Sequence, residues 1–168
     1  VVITKRGKIT RLVDSRRPTV GKHMPLAVLR ANARDTLYLF TAEGECAALH
    51  VHTIPAAENP GHGASWDSVS ALDRDANIVA AVGLPPAARA DSNGQEADVH
   101  LFLGTRMGMV KRIKVAELPG PSSRPFSVMK VRKNDALLGG CLMDGSKDVM
   151  LVTNDAQAIR FKGDQVRP

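Results

Sequence analysis

Four stretches of the chain carry the same order of apolar and polar positions. VVITKRGKITRL (1–12), YLFTAEGECAAL (38–49), FLGTRMGMVKRI (102–113) and MLVTNDAQAIRF (150–161) each pass from an apolar run to a threonine, two residues, a small residue and a second, partly apolar run. The threonines are Thr4, Thr41, Thr105 and Thr153, followed three residues later by Gly7, Gly44, Gly108 and Ala156. Apolar residues return at Ile9, Cys46, Val110 and Ala158, and again at Leu12, Leu49, Ile113 and Phe161. Two β-prone runs around a glycine turn predict a hairpin in every copy, because glycine takes positive φ at no steric cost. Ala156 lacks that freedom, so Asn154 and Asp155 are expected to carry the fourth turn.

The middle copies stay in step beyond the hairpin, VHTIP (51–55) overlaying VAELP (115–119). The third then reads FSVMKV, RKND and ALLGGCLM, and the second SVSAL, DRDAN and IVAAVGL, each a strand, a turn and a strand. A full repeat therefore predicts four short strands and no helix. Repeats of this kind are blades: each buries its faces against its neighbours in a propeller-like radial array. The expected fold is all-β, a single domain of three to four blade-like repeats near 1–35, 36–98, 99–148 and 149–168, with strands exchanged between neighbours. Closed propellers hold about four to eight blades, so the repeats are expected to be part of a larger ring. The segment PPAARADSNGQEAD (85–98) has no large apolar residue and reads as a surface loop.

With one Trp, one Tyr and four Phe in 168 residues, the core must come from aliphatic side chains. Cys46 and Cys141 each lie in an apolar stretch and read as buried small hydrophobes of a reducing cytoplasm, an inter-repeat disulfide being the alternative. Neither a long apolar span nor a signal peptide is evident, so no membrane association is expected. The net charge of +6 is unevenly spread. Residues 1–35 hold nine Lys/Arg against two Asp/Glu, residues 36–98 two against nine, and residues 99–168 twelve against six. Two basic stretches around an acidic one suggest a polyanionic partner.

DTLYLFTAEGECAALHVHTIP (35–55), GMVKRIKVAELP (108–119) and NDAQAIRFKGDQVRP (154–168) resemble, in order, segments of the C-terminal domain of the A subunit of bacterial DNA gyrase. The resemblance implies a β-pinwheel, a propeller-like ring whose basic rim wraps a DNA duplex without reading sequence. It covers roughly the first half of such a ring. It further implies a non-catalytic module of a type IIA topoisomerase, cytoplasmic, nucleoid-associated and monomeric in isolation. Strand cleavage, ATP and Mg²⁺ would belong to the A-subunit core and to the B subunit. The domain itself is expected to need no cofactor and no metal. The position before each copy's last apolar residue holds Arg11, Ala48, Arg112 and Arg160. With them Lys5, Arg6, Lys8, Arg16, Arg17, Lys22, Arg106, Lys111, Lys114 and Arg124 make up the expected DNA-binding set. SRRPTVG (15–21) lies where the family carries a seven-residue basic box in its first blade. It keeps two arginines and the last glycine, but Pro18 fixes φ and removes a donor where the box has glycine freedom. Whether the parent introduces supercoils or only relaxes and decatenates stays open.

Other chemistry finds little support. His50 and His52 on one strand face could start a metal site, yet no second cluster supplies more ligands. PGHGASWD (60–67) has no nucleophile elbow, and Tyr38 sits within a strand pattern, where it is expected to pack or line the surface without reacting. No catalytic residue is assigned. The alternative reading is a propeller-type protein-interaction scaffold working through its acidic second repeat.

Overall fold

The computed structural model describes residues 1–12, 24–89, 98–144 and 146–167. Four hairpins follow one another, each folded as the threonine–glycine spacing predicts. They are β1 (Val2–Thr4) with β2 (Lys8–Leu12), β4 (Thr36–Thr41) with β5 (Glu45–His50), β9 (Val99–Thr105) with β10 (Val110–Lys114), and β13 (Asp148–Val152) with β14 (Ala158–Lys162). At each tip an N–H returns to the threonine carbonyl three residues back: Gly7 to Thr4, Gly44 to Thr41, Gly108 to Thr105, Ala156 to Thr153. The threonine hydroxyls accept from the next N–H, that of Lys8, Glu45, Met109 and Gln157, at 3.1, 3.3, 3.1 and 3.2 Å. The glycines take φ of 82, 84 and 78°, and Ala156 takes 58°. The fourth turn thus corrects the expectation that Asn154 and Asp155 would spare Ala156. The threonine-locked tip imposes the left-handed conformation whatever residue occupies the position.

Each of the first three hairpins gains an inner strand, while β13 and β14 pair only with each other among the described residues. β3 (Pro25–Val28) pairs with β1, β8 (Ile78–Leu84) with β4, and β12 (Leu137–Asp144) with β9, all antiparallel. The outer strands come from farther along the chain. Ala56–Ala57 (β6) and Ala64–Ser65 (β7), which follow the second hairpin, pair with β2 of the first blade. Phe126–Ser127 (β11), which follows the third, pairs with β5 of the second. The SVSAL segment expected as a strand is instead a 3-10 turn (Trp66–Ser68) and bends, because Trp66 N–H is drawn onto the Gly7 carbonyl at 3.1 Å.

Alternation along the strands sends the two faces of each blade into different cores. Leu37, Leu39, Ala47 and Leu49 of the second blade pack on Ile3 and Ile9 of the first. Tyr38, Phe40, Cys46 and Ala48, on the opposite face, pack on Leu101 and Leu103 of the third. Truncating a buried leucine such as Leu103 in such a core typically costs about 2–5 kcal/mol. Tyr38 is fully buried and its hydroxyl donates to Pro119 O at 2.9 Å, which settles it as a packing residue. Phe102 turns the other way and meets Phe161 of the fourth blade, ring centroids 6.3 Å apart. Cys46 is buried as expected, but Cys141 is exposed and both thiols are free. Cys141 stands opposite Phe102 on the face toward the fourth blade, whose hairpin leaves it uncovered.

Candidate nucleic-acid interface

The hairpin tips share one end of the array. Lys5, Ala42 and Arg106 each begin a tip, and each donates its N–H to the residue leading into an inner strand: Met24, Asn77 and Ala136. Lys5 and Arg6 are exposed there, and their side chains make no hydrogen bond or ion pair among the described residues. Arg106 is exposed but anchored, donating from its guanidinium to Asn134 O at 2.9 Å. Asp135 fastens the same tip, accepting from the Met107 and Ala136 N–H groups at 2.9 and 2.8 Å. Desolvation pushes its carboxyl up, but hydrogen bonds from Thr105, Met107 and Ala136, with the Arg106 charge, outweigh that and leave it below the usual aspartate value.

At the positions of Lys5 and Arg6 the second blade carries Ala42 and Glu43, followed by Gly44 and Glu45. An interrupted basic surface would follow if each blade stood alone. The chain between the outer strand of one blade and the inner strand of the next crosses the preceding tip, however. Trp66 N–H binds Gly7 O, and in the same way Val128 and Met129 N–H bind Gly44 O at 2.9 and 3.3 Å. The segment that crosses the acidic second tip continues through Lys130, Arg132 and Lys133, all exposed. It brings cations where the second blade has none. These three were missed in the sequence, although KVRKND concentrates them, because the stretch was read as a strand and a turn.

The edge strands hold the other candidates, and several are tied inside the protein. Arg11 is half-buried and its Nε donates to Ile54 O at 2.6 Å, clamping the first blade to the second. Lys111 Nζ donates to Val128 O at 2.7 Å. Arg160 Nε binds Asp148 Oδ2 at 2.7 Å and its terminal nitrogen pairs with the same carboxylate. Arg112, at the register of Arg11, is half-buried with its Nε unpartnered among the described residues. Beside it on the same face lies buried His100, whose imidazole is held below its ordinary value by desolvation and then by the Arg112 charge. Lys8 is half-buried, and Lys114 and Arg124 are exposed. Arg16, Arg17 and Lys22, with the whole SRRPTVG stretch, lie outside the described residues. So does most of the 85–98 segment.

The remaining candidates for chemistry are placed apart. His50 closes β5 while His52 lies in the 3-10 turn Val51–Thr53, and their rings stack with centroids 5.0 Å apart. No group of three metal-ligating residues occurs among the described residues. No helix among them is long and apolar enough to cross a membrane.

Hairpin blades joined by borrowed outer strands, with cationic tips and edges, define a β-pinwheel, the propeller-like class of array. The family described as DNA gyrase C-terminal domain, beta-propeller, matches residues 100–139 and 147–168. The A subunit of DNA gyrase from Haemophilus influenzae is 29% identical over 140 residues, 83% of this chain and 15% of that protein. That of Chlamydia trachomatis is 29% identical over 149 residues, 88% of this chain and 17% of the relative. The chain therefore spans under a fifth of the length of these relatives. Among solved structures, the C-terminal domain of DNA topoisomerase IV superposes with a TM-score of 0.77 at 24% identity, over 99% of this chain and 52% of that one. The DNA gyrase A C-terminal domain gives 0.68 at 16% identity, over 99% and 55%. In sequence the chain is similar to the DNA gyrase C-terminal domain family and to bacterial gyrase A subunits, and in fold to the solved C-terminal domains of DNA topoisomerase IV and DNA gyrase A.

Proposed function

We propose that this chain binds and bends duplex DNA without sequence specificity, as a wrapping module of a type IIA topoisomerase A subunit. The observation that carries the reading is the continuity of cations at the tip end. Lys5 and Arg6 lead on the first blade, Lys130, Arg132 and Lys133 cross the acidic second tip, and Arg106 stands on the third. All are held on hydrogen-bonded strands and turns, so phosphates meet a fixed curved row. A duplex carries one charge per ~1.7 Å of axis, and neutralising one side draws it around such a row. Bending 20–30 base pairs by 40–90° costs about 1–6 kcal/mol, which several phosphate contacts offset. Neither a recognition helix nor an exposed aromatic row is present among the described residues to read bases, which supports backbone binding.

In this reading Lys5, Arg6, Lys8, Arg106, Lys114, Arg124, Lys130, Arg132 and Lys133 hold phosphates, together with Arg16, Arg17 and Lys22 of the basic stretch. Arg11 and Lys111 serve first to tie neighbouring blades and Arg160 to brace its own hairpin, while Arg112, whose Nε has no partner among the described residues, stays in the phosphate-binding set. The module performs no chemistry and needs no cofactor. Cleavage and ATP hydrolysis are done by the A-subunit core and the B subunit, which are its protein partners in the cytoplasm. The test is affinity for a random-sequence duplex of about 30–40 base pairs against salt. Removing one phosphate contact lowers the slope of log K against log salt by roughly 0.9. Replacing Lys5, Arg6 and Arg124 by glutamine should therefore flatten the slope by nearly three units while the fold survives. No duplex affinity at low salt defeats the proposal.

A further inference from the structure

The three inner strands β3, β8 and β12 pack side by side along the inner edge of the array. Where they begin, at the tip end, they leave an open cavity of about 790 Å³. That lies within the size range of pockets that bind ligands. Its floor is apolar, from Leu26 of β3, Ile78 and Val79 of β8, and Leu138 of β12. Leu138 on β12 remains 61% exposed, and Met24, just before β3, 59% exposed. The wall is Trp66, whose indole covers Gly7 and donates to Asp73 O. Three cations stand around the cavity, Lys5, Arg6 and Arg74, against the single carboxylate of Asp75, and Asn77 adds an uncharged polar group.

From this we infer a second binding site, for an acidic peptide segment of a partner protein that carries apolar side chains between its carboxylates. A net-positive lining selects acidic groups, and the apolar floor selects aliphatic or aromatic side chains presented with them. Duplex DNA satisfies only the first condition. Its phosphates gain nothing from Leu26, Ile78 and Leu138, and covering these with a charged backbone would leave the floor wet. Free phosphate likewise leaves it unused. An extended peptide places alternate side chains on opposite sides, so one edge can lie on the leucines while the other meets the cations.

Trp66 is the chain's one tryptophan, so its emission reports the cavity directly. The experiment titrates the intact chain with a blocked pentapeptide alternating glutamate with leucine. Controls are the same peptide with lysine for glutamate, an all-glutamate peptide, inorganic phosphate and a random duplex. The expected result is a saturable change in Trp66 emission with the acidic–apolar peptide, at least tenfold weaker for the lysine and all-glutamate peptides. Arg74→Glu should weaken binding at least tenfold and Leu138→Ala severalfold. Leu138 lies outside the residues proposed for phosphate contact, so Leu138→Ala should leave duplex affinity unchanged, and Arg74→Glu, beside Lys5 and Arg6, should lower duplex affinity by less than it lowers peptide affinity. The inference is overturned if no saturable response occurs, if the lysine or all-glutamate peptide responds equally, or if phosphate alone reproduces the change. Loss of duplex affinity in Leu138→Ala, or a loss in Arg74→Glu as large as the loss of peptide affinity, would also overturn it, by making the cavity part of the DNA surface.

Discussion

One turn position carries glycine at three hairpin tips and alanine at the fourth. Gly44 and Gly108 have nearly the same φ, 84 and 78°, but a methyl group meets different neighbours at each. At Gly108 an added Cβ finds nothing within 4 Å, whereas at Gly44 it would lie 2.1 Å from Met129 O and 2.9 Å from a Val131 methyl. For Gly108→Ala only backbone strain counts. Left-handed alanine costs about 1–2 kcal/mol, partly offset by about 0.4–1 kcal/mol from a stiffer unfolded chain, for a net loss near 1 kcal/mol. Gly44→Ala adds displacement of the crossing segment, about 1–3 kcal/mol more. The reverse change, Ala156→Gly at φ 58°, should relieve strain and stabilise the fourth hairpin by about 0.5–1 kcal/mol. Urea unfolding of the glycine variants measures the first two. Amide exchange at Thr153, which donates to Gln157 O, reads the third as a two- to fivefold slowing. Equal losses at Gly44 and Gly108, or faster exchange in Ala156→Gly, would refute the argument that one threonine-locked tip is reused four times.

Arg11→Ala should cost about 1.5–3 kcal/mol in denaturant, since it removes a charge-assisted bond to Ile54 O, and should change the salt slope of duplex binding by well under the roughly 0.9 that a lost phosphate contact gives. His100 has a lowered folded pKa, so the unfolded chain takes up protons first. Its contribution is complete above the ordinary value of 6.5 and is lost as pH falls through the lower folded value, a decline that His100→Asn should flatten in pH-dependent melting. Asp135 follows the rule for carboxylates held low. Its contribution is present above 3.8 and lost as pH drops below it, and Asp135→Asn should diminish that acid sensitivity, read by circular dichroism from pH 5 to 2.

What the sequence made legible is the local chemistry. Thr41, two residues and Gly44 define a tip whose hydrogen bonds close within five residues, so the pattern survives in any context. In the structure, period-two alternation sends Leu37 and Tyr38 to opposite faces. The borrowed outer strands were not legible residue by residue. Ala56–Ala57 and Phe126–Ser127 are two residues long, and their partners lie some 45 and 80 residues upstream. No local periodicity marks such pairs. SVSAL alternates like a strand yet bends, because Trp66 is already bound to Gly7. Likewise the cations were visible, but not their partners. Arg11 and Lys111 looked like free charges and turned out to hold neighbouring carbonyls, while Lys130, Arg132 and Lys133 acquire their place only where the chain crosses the second tip.

Rigidly held cations should wrap a duplex, and wrapping changes linking number where simple coating does not. Nicked circles sealed by ligase with increasing amounts of this chain, then stripped of protein, report it on a gel. The account predicts a topoisomer distribution whose centre moves with protein concentration, and a smaller move when Lys5, Arg6, Lys130, Arg132 and Lys133 are replaced by glutamine. A distribution that stays centred on the protein-free control while the circles are fully bound would contradict it.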